Sequence, residues 1–340
     1  GAFVVLGVFA GWTGIAWAAF LARWVVPGVT LALVVAPVTY LGSTLYFYVV
    51  TRRAERRLER AFQLYLSPTT ARAVARDPDA LRLGGQEVVA TALFTDIENF
   101  TGIAESMPPD AVAAMLNAYF TEMMDAILDN DGTLIKFIGD AVFALWGAPI
   151  RREDHPALAC EAAIAIQQAI AHFNTAGTFP PLRTRIGIHT GPMVVGNLGA
   201  ARRFDFTAIG DAVNLASRVE GLNKYFGTSI LVTDAVTARL PAGLTPLPLG
   251  RVRAVGKQGR VGLGAFFPDP LPAPIVSDWI AALADFTARR WTPAAAAFAA
   301  LAVAEPRLAT AAALYLRDID VYRRREPASG WQGDIVFAAK

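Results

Sequence analysis

Two uncharged apolar runs open the chain, residues 2–22 and 24–50, with Arg23 between them. A helix of ~20 apolar residues spans a bilayer core, so the pattern predicts a hairpin of two transmembrane helices over residues 1–50, embedded in the lipid bilayer. Trp12, Trp17, Trp24, Tyr40, Tyr46 and Tyr48 supply amphipathic rings suited to the headgroup level. Arg52, Arg53, Arg56, Arg57 and Arg60 follow at once. Such a cationic flank marks the cytoplasmic side. The expectation is a multi-pass plasma-membrane protein with everything beyond residue 51 in the cytoplasm. A signal peptide is the rival reading of the first run, but no charged segment precedes it and a second apolar run follows directly. A buried hairpin in a soluble protein is the other.

Residues 51–66 read as a helix with a thin apolar stripe at Leu58, Phe62 and Tyr65, spaced for a partner helix. Pro68, Pro78 and Gly84-Gly85 then punctuate the chain, so residues 51–87 read as a helical, signal-transducing linker. Over residues 88–268 short strand-like runs (EVVATALF, TLIKFI, AVFALW, LRTRIGIHT) interleave with amphipathic helices. The helices are MPPDAVAAMLNAYFTEMMDAILDND, DHPALACEAAIAIQQAIAHF and DAVNLASRVEGLNKYF, the last expected to be capped by Asp211. MVVGNLGAARRFDFTAIGD reads as a hairpin. Hairpins mixed with helices predict an α+β domain on a mixed or antiparallel sheet, not a doubly wound parallel one. Residues 269–340 read as an Ala-rich appendage of three helices, with breaks at Thr292-Pro293 and Glu305-Pro306, ending in GWQGDIVFAAK, a strand or loop expected to pack back onto the core.

A net charge of +2 makes no case for a nucleic-acid partner. One cysteine, Cys160, excludes an intrachain disulfide and any cysteine-based metal site, and it reads as a small buried residue. His189 reads as structural, and His155 and His172 have no partners at metal spacing. The chemistry lies elsewhere. Asp96, in LFTDIENFTG, and Asp140, in KFIGDAVFALWG, each sit where an apolar strand breaks into a turn, and such carboxylates suit a hard divalent cation. The turn Ile97-Glu98-Asn99-Phe100-Thr101 presents backbone N–H groups suited to phosphate oxygens. Asn214 and Arg218 stand four apart on one helix, and a guanidinium at 218 can fork onto a phosphate.

Four ordered motifs, FTDIENFT, IKFIGDAVFALWG, RIGIHTGPMVVGNLG and FTAIGDAVNLASRVEGL, together resemble the catalytic domain of class III adenylate/guanylate cyclases over residues 88–268. The resemblance implies a ferredoxin-like βαββαβ core with extra elements. It also implies a head-to-tail homodimer with two shared active sites and two Mg²⁺ or Mn²⁺ ions per site. Asp96 and Asp140 match the metal-binding aspartates, Arg185 an arginine that contacts polyphosphate, and Asn214 and Arg218 the pair that acts on ribose and transferred phosphorus. Lys136 and Thr207 match the purine readers. An ammonium only donates, so Lys136 suits N1 of adenine and opposes guanine, whose N1 carries a hydrogen. The implied activity is a bacterial adenylate cyclase of the inner membrane, converting ATP to cyclic AMP and pyrophosphate in signal transduction, with an extracellular sensor upstream in some relatives. A guanylate cyclase and a catalytically silent nucleotide-binding or dimerisation module are the alternatives.

Overall fold

The computed structural model describes residues 11, 14–15, 17–22, 38–48, 84–200, 203–253 and 259–337. The chain divides into two compact units, Gly1–Leu64 and Tyr65–Lys340. In the first, residues 17–21 and 38–48 are helical. Among the described residues no helix is long and apolar enough to cross a membrane. This overturns the expected two-span hairpin of residues 1–50, and with it the multi-pass inner-membrane assignment. The described helical stretch, 38–48, accounts for ~16 Å. The helix expected over 51–66, its arginines and the linker up to residue 83 lie outside the described residues.

The second unit is built on β1 (Gly84–Ile97), α1 (Phe100–Glu105), α2 (Pro109–Asp129), β2 (Thr133–Ile138), β3 (Ala141–Trp146), α3 (His155–Ala176) and β4 (Thr184–Ala200). The four strands lie in the order β2-β3-β1-β4 with every neighbouring pair antiparallel. That is the βαββαβ arrangement expected from the motifs. Beyond it come β5 (Arg203–Ile209), α4 (Asp211–Phe226), β6 (Ile230–Thr233), the short α5 (Asp234–Thr237), β7 (Leu247–Arg253) and β8 (Arg260–Phe266). β5 pairs with β4, β6 runs parallel to β4, and β8 and β7 follow.

Side-chain alternation along β1 feeds both faces of the sheet. Leu93 and Ile97 join Tyr119 and Met123 of α2 and Cys160 and Ile166 of α3 in one core. Ala90 and Ala92 join Phe143, Val195 and Ala212, Val213 and Ala216 of α4 in a second core on the other face. Cys160 is fully buried, as expected, and burial pushes its thiol up and out of reach of nucleophilic chemistry. His155 and His189 are also held by the scaffold, at 2.6 Å from Thr91 Oγ1 and 2.8 Å from Thr233 Oγ1.

Three expectations shift. Gly84 and Gly85 open β1, opposite Asn197 and Gly196, where linker punctuation was expected. Asp211 is the first residue of α4, and Gly210 precedes it as N-cap, with no side-chain cap bond. The first break in the appendage falls at Arg289, whose φ is 58°, and not at Pro293, because proline is tolerated in the first turn of a helix. The appendage comprises α6 (Ala273–Thr287), α7 (Trp291–Ala304), a 3₁₀ turn (Pro306–Leu308) and α8 (Ala309–Arg324). Trp279, Phe286, Phe298 and Tyr315 pack edge and face against each other and against Leu249, Val252 and Leu263. Trp279 Nε1 donates to Pro248 O at 2.8 Å and the Tyr315 hydroxyl donates to Leu249 O. β9 (Asp334–Val336) then joins β7 in parallel, so the chain end does pack back onto the core.

One glycine sets how closely α4 lies on the sheet. A Cβ at Gly187 would stand 2.1 Å from Glu220 N and 2.5 Å from Ala216 O, both helix backbone. Gly187→Ala must push the whole helix outward. Urea denaturation should show a loss of roughly 3 kcal/mol or more, against a gain of up to about 1 kcal/mol for Gly221→Ala, in the same helix, whose Cβ would meet open space.

Candidate active site

Asp96 and Asp140 arrive at one place from two different elements. Asp96 is the penultimate residue of β1, on the same face as Phe94, whose ring stacks on Phe143 of β3 at 4.5 Å. Asp140 sits in the two-residue loop between β2 and β3, whose other member, Gly139, has φ +65°. A turn this tight needs left-handed backbone, and glycine adopts it without strain. Two bonds tie the loop to the strand end. Ile97 N donates to Asp140 Oδ2 at 3.2 Å, and Val142 N donates to Thr95 Oγ1 at 3.0 Å.

The result is a pair of like charges at close quarters. Burial first, and then the Asp140 charge, push the Asp96 carboxyl above its usual value, while Arg185 pulls it the other way. Arg185 is the β4 residue directly across from Asp96 in the β1–β4 ladder. Its Nη2 stands 2.8 Å from Glu98 Oε1, and Glu98 N donates to Arg183 O at 2.8 Å. Asn99 takes φ 57°, and α1 starts at Phe100. The N–H groups of Phe100 and Thr101 thus fall in the first turn of a helix, where no intrahelical acceptor exists.

Asp96, Ile97, Glu98, Asp140 and Arg185 are therefore gathered at one end of β1. The other expected residues are placed differently. Lys136 is half-buried on β2 and Thr207 half-buried on β5, opposite Gly196 of β4. β2 and β5 approach one another. Asn214 and Arg218 lie on the exposed face of α4, whereas Ala216, Val219 and Asn223 are buried.

Glu220 escaped the sequence reading. It lies within the motif that carries Asn214 and Arg218, but four residues from Ala216 and three from Asn223, hence on the buried stripe of α4. A carboxylate on an apolar stripe was the available signal. Its Oε1 is buried without a hydrogen-bond partner. Burial, followed by repulsion from Asp96, pushes its pKa up to about 7, with Arg185 and Lys224 opposing. Asn223 fixes this part of the helix, because its Nδ2 donates to Ile186 O at 2.9 Å and its Oδ1 accepts from Thr228 Oγ1 at 2.8 Å.

Among the described residues no group of three or more His, Cys, Asp or Glu side chains is disposed to hold a metal ion. The donor set nevertheless fits one kind of ion. Two carboxylates at close quarters, one of them held above its usual pKa by burial and then by its neighbour's charge, would gain most from a hard divalent cation that completes its shell with phosphate oxygens and water.

This geometry agrees with what is found on comparison with known proteins. Residues 86–261 match the adenylate and guanylate cyclase catalytic domain, and the chain belongs to that family. It is 46% identical over 175 residues to adenylate cyclase 1 of Rhizobium meliloti, a match covering 51% of this chain and 26% of that protein. Identity to an adenylate cyclase of Anabaena cylindrica is 40% over 157 residues, covering 44% of this chain and 30% of the relative. The chain thus spans less than a third of the length of these relatives. The crystal structure of the adenylyl cyclase CyaB from P. aeruginosa superposes with a TM-score of 0.50 at 30% identity, covering 56% of this chain and 98% of that one.

Two titrations test the electrostatics. Asp140→Asn removes a like charge, so the Asp96 carboxyl resonance should titrate at lower pH than in the parent protein. Glu220 binds its proton more tightly folded than unfolded, so its ionisation lowers stability as pH rises from about 4.5 to about 7. In metal-free buffer, thermal denaturation of Glu220→Gln should match the parent near pH 4.5 and exceed it above pH 7, by up to roughly 3 kcal/mol.

Proposed function

We propose that this chain is an adenylate cyclase, turning ATP into 3′,5′-cyclic AMP and pyrophosphate at sites shared between two copies. The observation that carries the reading is the split character of α4. Glu220 faces Asp96, while Arg218, two residues and about 200° away, projects outward beside Asn214. An outward Asn/Arg pair suits the aspartate pair of a second, head-to-tail copy. The apolar surface around the purine readers supports this, because Phe137, Ile138 and Ile209 are 42%, 48% and 54% exposed.

In the reaction the ribose 3′-oxygen attacks the α-phosphorus, its proton passes to solvent, and the bond to the β-phosphate oxygen breaks. Asp96 and Asp140 would hold two Mg²⁺ or Mn²⁺ ions, which lower the pKa of the attacking hydroxyl and neutralise charge on the phosphates. The first-turn N–H groups of α1 and the Arg185 guanidinium hold the β- and γ-phosphates. Arg218 of the second copy forks onto the α-phosphate as charge builds there, and Asn214 orients the ribose. Lys136 donates to adenine N1, and the Thr207 hydroxyl accepts from the 6-amino group.

Purified protein with Mn²⁺ should form cyclic AMP from ATP much faster than cyclic GMP from GTP; the reverse preference would assign the site to guanine. Asp140→Ala and Arg218→Ala should each cost about 10²–10³ in kcat. Mixing the two inactive variants should restore activity through one intact site per mixed dimer. A mixture as inactive as its components would rule out a shared site.

A further inference from the structure

A cleft of about 550 Å³ lies where the C-terminal end of α4 and the ends of β4 and β8 meet the helical tail. Its wall includes Arg183, Arg185, Lys224 and Arg307 and one carboxylate, Glu98. These charges are not equally engaged. Arg307 is matched by Glu305, with Nε 2.8 Å from Oε1 and Nη2 2.7 Å from Oε2, and its Nη1 donates to Asp269 O at 2.7 Å. Arg185 is matched by Glu98 at 2.8 Å. Arg183 reaches that same Glu98 only at 3.9 Å, with 83% of its side chain exposed. Lys224 stands over the Tyr225 ring, 4.8 Å from its centre. The end of α4 adds roughly half a negative charge, and Glu220, on which Lys224 and Arg185 act and whose pKa of about 7 leaves it partly ionised, adds about as much; together they do not offset two cations. Arg183 and Lys224 therefore leave the cleft positive.

We propose that this cleft is a second anion site, taking a small ligand that carries a phosphate dianion. A net positive cleft with two cations not matched by a close carboxylate suits a dianion in sign. Guanidinium groups match a phosphate in shape, because their planar forks bond two oxygens at once. Thr310, on the tail side, offers a hydroxyl to a third oxygen. The wall it belongs to is set firmly against α4, since a Cβ at Gly227 would stand 2.5 Å from Thr310 Cβ. Arg307 and Thr310 lie outside the segment that matches the cyclase family, residues 86–261. The site is thus a product of this chain's own tail. It also adjoins the aspartate pair, since Arg185 lies across the ladder from Asp96.

Direct binding tests this without reference to turnover, so it stands or falls apart from the cyclase reading. Orthophosphate, pyrophosphate and AMP are titrated calorimetrically into the whole chain at fixed ionic strength, with EDTA present to abolish metal-dependent binding. At least one should bind saturably at one site per chain. Arg183→Gln/Lys224→Gln should weaken it about tenfold or more, the worth of one or two charge-assisted contacts, with the melting temperature unchanged. Asp140→Ala should retain it. Tighter binding of the inorganic anions or of AMP tells whether a free or an esterified phosphate is taken. Absence of saturable binding, an unchanged Kd in the double variant, equal binding of sulfate, or loss of binding in Asp140→Ala would each overturn the proposal.

Discussion

Two carboxylates forced together at the edge of a buried sheet set the terms for the rest of this structure. Asp96 and Asp140 repel each other in a partly desolvated corner, and left alone they would move apart. They stay because neither is free to leave. Asp96 is part of a fourteen-residue ladder with β4, and Asp140 sits in a two-residue loop, its side chain accepting from Ile97 N while Val142, at the start of β3, bonds Thr95. The strain of like charge is held by the sheet and is relieved by whatever cation enters. In the proposed reading, that repulsion would favour a divalent ion at the pair.

The helix that faces this corner serves two directions at once. Its inner stripe packs on Gly187 closely enough that no side chain fits between, and it brings Glu220 up to the aspartate pair. Its outer face carries Asn214 and Arg218. A helix with chemistry on both faces, one turned to its own sheet and one turned away, is the local geometry a symmetric pair of shared sites requires.

The tail adds a third component. It contributes most of a core of its own, built from Trp279, Phe286, Phe298 and Tyr315 against β7 and β8, and it closes the sheet with β9. Its helices were legible from alanine content and breaks. The strand was legible only as one of two alternatives, strand or loop, since three residues of strand have no period to read. The membrane hairpin shows the opposite failure. Uncharged length, flanking aromatic rings and an arginine cluster argued for two spans, but among the described residues no helix is long and apolar enough to cross a membrane.

The sequence by itself determined the element order and the α+β class, and it singled out Asp96 and Asp140, which the fold brings to one place. Alternation, helical period and turn residues are local properties, and four motifs in order carry the family. Only the tertiary structure decided that Asp96 faces Arg185 across a ladder, that Glu220 turns inward with a pKa near 7, and that a cationic cleft opens against the tail. Register, burial and the meeting of distant segments depend on how whole elements pack. No window of neighbouring residues contains that information.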